Sequence, residues 1–282
     1  MKILVVGASG FLGSRLFKEL EKKYEVQGTY VKGGNLIPSN FIKLDITDKN
    51  NIYSVLSSFA PDLVVDCSGI TDTDLCEKEK ETAFSTNVMG VKALCEISHT
   101  KIIYFSSDYV FDGAKGYYSE KDYPSPVNYY GLTKLIAENI VQSSNRNNLA
   151  VRVSGLYGFS ALRDKFFDKL NKTKIYGCTD LYSSPTYIDD ILSAFDQLQS
   201  QTGLVHFSGP ERMSRFEFLK RASAYLNRDC TVTPILSKEM NFVAERPRDT
   251  SLISTVFGSK KTDVSSALSN IRDEKNARNL QY

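Results

Sequence analysis

The run Tyr129-Tyr130-Gly131-Leu132-Thr133-Lys134 reads as the start of a helix. Tyr130 and Lys134 stand four residues apart, so a helix sets them one turn apart on one face. Tyr129 has Thr133 in that place. Tyr130 is therefore the tyrosine expected to do chemistry, and Tyr129 to pack or line a pocket. A free phenol titrates near pH ~10. A neighbouring ammonium favours the phenolate and lowers that value. A phenol so tuned can act as general acid to a carbonyl oxygen as hydride arrives. Ser106-Ser107-Asp108 closes a strand at its carboxyl end. Ser107 could hydrogen-bond the same carbonyl oxygen, and Lys134 could also bind the ribose of a nicotinamide.

A hydride carrier needs a seat. Gly7-Ala8-Ser9-Gly10-Phe11-Leu12-Gly13 follows a short apolar run and opens a helical pattern. At such a turn one glycine permits the bend, and another lets the backbone approach a pyrophosphate resting on the helix N-terminus. Gly7, Ser9, Gly10, Phe11, Leu12 and Gly13 are the expected cofactor contacts. The end of the second strand usually reads the ribose, with an acid there favouring NAD. Here the segment is Gly28-Thr29-Tyr30-Val31-Lys32. It has no acid, and Lys32 or Arg15 could meet a 2′-phosphate, so NADP(H) is expected over NAD(H). Tyr30 lies in that same segment. Asp45 and Ile46, after a third short run, are placed to hold the adenine edge.

The elements that position these residues alternate. Strands are expected at Lys2 to Val6, Val26 to Tyr30, Phe41 to Leu44, Leu63 to Cys67, Lys101 to Ser106 and Leu149 to Val153. Helices are expected from Leu12 to Leu20, from an Asp48 cap to Phe59, from Glu81 to Ser98 and over 129–143. Strand and helix in turn predict an α/β, Rossmann-type doubly wound parallel sheet. After about residue 155 the rhythm loosens. Helical patterns recur near 161–171, 187–199 and 214–227, and short strands near 174–177 and 204–207. The stretch from Lys260 is polar and reads as a peripheral helix or frayed tail. The expected domains are a dinucleotide-binding one, 1–155, and a smaller substrate-binding one, 156–282. The helix and strand near 187–208 are expected to return to the first.

Composition bounds the function class. The chain has 282 residues, with 24% charged and a formal net charge of +2. That balance gives no case for nucleic acid or a membrane as partner. Five cysteines, an odd number with no two at a C-x-x-C spacing, and two histidines far apart in sequence, His99 and His206, suggest neither a disulfide framework nor a metal site. No apolar stretch is long enough for a signal peptide or a membrane span. A reduced, cytoplasmic protein is the expectation.

Taken together, the motifs resemble the extended short-chain dehydrogenase/reductase superfamily and, within it, the dTDP-4-dehydrorhamnose reductase family. The most specific stretch is Ser106-Ser107-Asp108-Tyr109-Val110-Phe111-Asp112-Gly113, then Tyr118-Ser119-Glu120-Lys121-Asp122, Pro126 and Tyr130-Gly131-Leu132-Thr133-Lys134. Asp74-Leu75-Cys76-Glu77, Asn87, Arg152, Gly155-Leu156-Tyr157-Gly158, Ser184-Pro185-Thr186 and Arg246-Pro247 also match. The resemblance runs from residue 1 to about 272. It implies reduction of the C4 keto group of a nucleotide-linked 6-deoxyhexose, with dTDP-L-rhamnose as product. It implies Ser107, Tyr130 and Lys134 as the catalytic set. Cofactor contacts are implied at Cys67, Ser68, Gly69 and Asn87. Substrate contacts are implied at Asp108, Val110, Leu156, Ser184, Thr186 and Arg246, beside Ser107 and Tyr130. A homodimer paired through the helix carrying Tyr130 is plausible by symmetry.

The sequence departs from the family in three places. Ser107 stands where threonine is common, and keeps the hydroxyl. Leu156 stands where tryptophan is common and offers no flat stacking surface, which bears on the identity of the sugar. Asp66-Cys67-Ser68-Gly69 replaces Asn-x-Ala-Ala, which reads as a local packing change. Two other readings stay open. One is a non-catalytic NADP-binding subunit resembling the β subunit of methionine adenosyltransferase, which shares the leucine before Tyr-Gly. The other is a different sugar-nucleotide reductase or epimerase.

Overall fold

The computed structural model describes residues 1–32, 37–159, 170–226, 229–257 and 261–277. Strand β1 (Lys2–Val6) is buried on both faces and runs at the centre of a parallel sheet. With it lie β2 (Glu25–Tyr30), β3 (Ile42–Lys43), β4 (Leu63–Asp66), β5 (Lys101–Ser107) and β6 (Leu149–Val153). Between β6 and the next sheet strand come β7 (Leu156–Tyr157), β8 (Lys174–Cys178), β9 (Tyr182–Ser183) and β10 (Thr186–Tyr187). Then follow β11 (Gly203–Phe207), β12 (Met213–Ser214) and β13 (Thr231–Ile235). The large sheet has seven strands in the order β11-β6-β5-β4-β1-β2-β3. Its order reverses beside β1, which opens a crevice at the carboxyl ends of the strands.

Both faces are covered. Helix α1 (Phe11–Leu20) turns Leu12, Leu16, Phe17 and Leu20 onto the face that carries Ile3 and Val5. Each such side chain contributes about 1.5–3 kcal/mol by leaving water. The opposite face, with Leu4 and Val6, is covered by α2 (Lys49–Phe59) and by later helices that bring Val91, Leu94, Ala137 and Val141. Asp48 caps α2 as expected, accepting from the Asn50 and Asn51 amides.

The helix expected from Glu81 to Ser98 is broken. A short α3 (Thr73–Lys78), missed in the sequence, precedes α4 (Lys80–Phe84). A π-helical turn, Ser85–Gly90, leads into α5 (Val91–Ile97). The turn presents buried Asn87, whose Oδ1 accepts from the Ile70 amide at 2.7 Å and whose Nδ2 donates to the Ile70 carbonyl at 3.0 Å. Helix α6 (Tyr129–Ser144) follows β5.

Beyond β6 the chain leaves the sheet and comes back. Ile188, Ile191, Phe195 and Leu198 pack on the α1 face, and β11 pairs with β6 in parallel, Val205 opposite Val151. A separate cluster gathers Tyr157, Tyr187, Met213 and Ala222 with Val264, Leu268 and Ile271. The polar tail is thus a helix, Val264–Ala277, with an apolar stripe buried. The strand expected near 174–177 is β8, and its partner β13 was missed. All but the last two residues of the pattern near 161–171 lie outside the described residues.

Candidate active site

Two close approaches build the site. A Cβ on Gly13 would sit 2.4 Å from the Gly7 carbonyl oxygen. Only glycine there lets α1 start tight against the turn after β1. Gly10 caps α1 without a side-chain bond, so the first amides of the helix face the crevice free of a cap. On the other side, a Cβ on Gly131 would lie 2.0 Å from the Tyr109 carbonyl oxygen. This glycine lets α6 press on the tight turn Asp108–Val110 that ends β5. Asn128 fixes where α6 begins, its Oδ1 accepting from the Gly131 amide at 2.9 Å. Tyr130 is thereby held in the first turn, buried, its ring edge-on to Tyr109 at 5.8 Å.

One crevice of about 480 Å³ lies between these two constructions. Gly10, Phe11 and Leu12 line it from the turn, and Cys67, Ser68, Gly69 and Thr71 from the end of β4. Phe105, Ser106, Ser107 and Asp108 come from β5 and its turn, Tyr130 and Lys134 from α6, and Val153, Gly155 and Leu156 from beyond β6. Ser107, Tyr130 and Lys134 thus line one cavity.

Asp108 gathers three hydroxyls at the end of β5. Its carboxylate accepts from Ser107 Oγ at 3.1 Å, Ser154 Oγ at 2.7 Å and Thr250 Oγ1 at 2.6 Å. Burial raises its pKa, against the pull of these bonds. Ser107 Oγ also accepts from the Tyr109 amide at 3.2 Å. Burial raises the Tyr130 phenol well above its ordinary value, and the hydrogen bond with Ser107 pulls the other way. Burial lowers Lys134 to about 8, with Asp66 and then Glu138 acting to raise it. Lys134 Nζ donates to the Phe105 carbonyl at 2.7 Å and lies 4.1 Å from the centre of the Tyr104 ring. The expectation that Lys134 acidifies Tyr130 is therefore not met. The phenol is dominated by its own desolvation.

Other expected residues stand apart from the cavity wall. Ile46 is core, buried against Gly90. Asp45 accepts from the Thr47 amide at 2.9 Å and Tyr30 packs partly buried on the α1 face. Lys32 is exposed beyond β2. Arg15 does not wait for a phosphate: it pairs with Asp189 at 2.5 Å and Glu274 at 3.0 Å. Asn87 braces Ile70 behind the wall. Val110 is fully buried core. Ser184 and Thr186 are buried too; Thr186 Oγ1 donates to the Ser154 carbonyl at 2.6 Å, and Ser184 Oγ to the Leu252 carbonyl at 3.3 Å. Arg246 pairs with Asp74 at 2.8 Å and stacks over Phe242. These polar residues fasten the loops that shape the cavity. Asn128, Gly131, Thr71 and Phe105 were missed; only the Asn just before Tyr129, a common helix cap, carried a legible signal.

The residues present fit a nicotinamide dinucleotide. The glycine cradle at Gly13 and the uncapped start of α1 suit a pyrophosphate. Ser106 Oγ, in the cavity wall, is buried with no partner among the described residues, as a group awaiting a ligand would be. Among the described residues no cluster of His, Cys, Asp or Glu is arranged to hold a metal ion, and no helix is long and apolar enough to cross a membrane.

A doubly wound sheet, a glycine turn after β1 and a Ser-Tyr-Lys set define an extended short-chain dehydrogenase/reductase, a class of nicotinamide-dependent oxidoreductases. Within that class, the family described as the RmlD substrate binding domain matches residues 1–274, and the chain belongs to it. It is 30% identical to the dTDP-4-dehydrorhamnose reductase of Aggregatibacter actinomycetemcomitans, over 96% of this chain and 98% of that one. The crystal structure of dTDP-4-dehydrorhamnose reductase from Bacillus anthracis, in complex with NADP, superposes with a TM-score of 0.86 at 27% identity, covering 97% and 99% of the two chains. The chain is also 29% identical to methionine adenosyltransferase 2 subunit beta of Pongo abelii, over 89% of this chain and 80% of that one.

Proposed function

We propose that this protein reduces the C4 keto group of a nucleotide-linked 6-deoxyhexose, dTDP-4-dehydro-L-rhamnose to dTDP-L-rhamnose, with NADPH preferred over NADH. The observation that carries this reading is the meeting of Ser107, Tyr130 and Lys134 in the cavity that the glycine turn enters. The bound dinucleotide would supply hydride to the keto carbon. Gly7, Gly10, Phe11, Leu12 and Gly13 would hold its pyrophosphate, and Lys32 would favour a 2′-phosphate. The Tyr130 hydroxyl gives its proton to the carbonyl oxygen. Ser107, turning its hydrogen from Asp108 to that oxygen, stabilises the developing charge. The Lys134 ammonium stabilises the phenolate left behind. Leu156, on the wall, would meet the sugar.

The division of labour fits a dinucleotide-binding part, 1–155, joined by β11 and the helices before it, and a substrate-binding part made from the rest. A homodimer is supported by half-exposed Phe84, Met89 and Leu132, all on or near the α6 side of the molecule. We place the protein in the cytoplasm.

A second reading, the non-catalytic NADP-binding subunit, is favoured by the relative from Pongo abelii and by Leu156-Tyr157. One assay separates the two. Stoichiometric oxidation of NADPH by enzymatically prepared dTDP-4-dehydro-L-rhamnose supports the reductase. Tight NADPH binding without oxidation favours the subunit.

A further inference from the structure

Behind the cavity, between the sheet and α6, Asp66 and Tyr104 are buried ionisable side chains that the proposed reaction leaves without a role. Asp66 ends β4 and is completely buried. Its Oδ1 accepts from the Ser68 amide at 2.9 Å and from Ser68 Oγ at 2.5 Å. Its Oδ2 is buried with no hydrogen-bond partner among the described residues. Asp66 is in register with Tyr104 of β5, so both side chains leave the sheet on the same face. The Tyr104 hydroxyl also has no partner among the described residues. Lys134 Nζ stands over that Tyr104 ring, itself buried, with one hydrogen bond, to the Phe105 carbonyl.

A buried ammonium needs a compensating charge, and so does a buried carboxylate. The ionisable groups that act on Lys134 are Asp66 and Cys67 from β4 and its end, Cys76 from α3 and Glu138 from α6, with Tyr104 of β5 beneath it and Tyr130 one helical turn before it. Cys95, from α5, faces Asp66 as well. Burial holds the Cys76 and Cys95 thiols up to about 11 and raises Cys67, Tyr104 and Tyr130 further above neutrality, so all five are uncharged there. Two carboxyl groups are left, and burial raises Asp66 too, while the bonds from Ser68 and the charge of Lys134 hold it toward the carboxylate. Glu138 is already neutralised: Arg152 Nε donates to it at 3.1 Å and a second guanidinium nitrogen donates to its other oxygen. Among the described residues Asp66 has no cation bonded to it.

We propose that Asp66 is a positioning residue for the reaction: its buried carboxylate is the counter-charge that keeps Lys134 an ammonium beneath the cavity. This rests on the reading of Lys134 as part of the active site. Among the described residues the two groups make no direct salt bridge; Tyr104 neighbours both, opposite Asp66 in the sheet and beneath the Lys134 ammonium. In so dry a setting a charge acts over such a gap far more strongly than in water. Asparagine at position 66 would keep the acceptor for Ser68 and remove the charge alone.

The test is the titration of Lys134 itself, in ligand-free protein labelled with ¹³C at lysine Cε, the signal being assigned by its loss in Lys134→Met. In the wild type the midpoint should lie near 8. A smaller second inflection should appear at acid pH as Asp66 takes up its proton. In Asp66→Asn the midpoint should fall by a full pH unit or more, a tenfold change in protonation. A midpoint within 0.3 of wild type (about a factor of two) would overturn the proposal. Should Asp66→Asn not fold, the acid inflection of the wild type decides: present, it supports the coupling; absent, it refutes it. No turnover is needed for this readout. If the Lys134 midpoint moves and neither protein oxidises NADPH, the Asp66 coupling stands and the reductase reading falls. If turnover is found, its alkaline limb should shift with the same sign and size.

Discussion

Lys134 and Phe105 are joined by a 2.7 Å hydrogen bond, ammonium to main-chain carbonyl, two residues before Ser107 on the same strand. The lysine is thereby anchored to the sheet as well as carried by α6. It stands ready beneath the cavity without being spent on Tyr130.

Tyr130 is consequently a protonated phenol at neutral pH, a donor awaiting an acceptor. Tyr130→Phe removes the proton and little else. Turnover should fall by about 10² or more, the usual size of lost general acid catalysis. NADPH binding and thermal unfolding should hold. Tyr129→Phe should change turnover by no more than a few-fold. Steady-state rates of the two variants, side by side, make the comparison.

The glycine cradle is a steric claim. In Gly13→Ala the new methyl meets the Gly7 carbonyl oxygen and the Ala8 Cα at 2.4 and 2.9 Å. Both are backbone atoms and cannot swing away, so the turn must open. NADPH affinity, read by quenching of its fluorescence, should weaken about tenfold or more, the sensitivity expected of a seat built from backbone amides.

The buried pair Glu138–Arg152 stabilises α6 against β6. Arg152 also lies over the Phe111 ring. Arg152→Met strands the Glu138 carboxylate and should cost about 3–5 kcal/mol in urea unfolding. Replacing Glu138 by leucine in the same chain should recover much of that loss.

His206 makes stability depend on pH. Its Nδ1 faces the carbonyls of Tyr118 and Ile253 at 3.2 and 3.1 Å, and its Nε2 faces Arg152 at 3.4 Å. That set fits a neutral ring donating from Nδ1. Burial lowers its pKa to about 4, Glu120 opposing and Arg152 adding to the fall. Unfolded histidine titrates near ~6.5, so below that the unfolded chain takes the proton first. Stability should therefore drop as pH falls from 6.5 toward 4, by on the order of 3 kcal/mol from this group. In His206→Gln that part of the slope should vanish, as urea midpoints across the range would report.

The parallel sheet was legible because each strand is a short apolar run and each helix a clear stripe. Tyr130 and Lys134 were legible because one helical turn fixes their spacing, whatever the tertiary fold. The break at Ser85–Gly90 was not, since a π-turn keeps the helical stripe and is stabilised by Asn87 reaching Ile70 across the fold. Arg15 and Arg246 read as ligand-binding cations because their carboxylate partners lie 174, 259 and 172 residues away. Ser184 and Thr186 face the carbonyls of Leu252 and Ser154, 68 and 32 residues away in the chain. The Asp66 change looked like packing because its consequence depends on Tyr104 and Lys134 closing around it.

The central claim is that hydride reaches a keto carbon held beside Tyr130. The most direct measurement uses NADPH carrying deuterium at nicotinamide C4 on the transferred side, with dTDP-4-dehydro-L-rhamnose, followed by NMR of the sugar. The account predicts one deuterium at sugar C4, in a rhamnose-configured product, formed one for one with oxidised cofactor. Label retained in the nicotinamide, with the keto sugar unchanged, would contradict it.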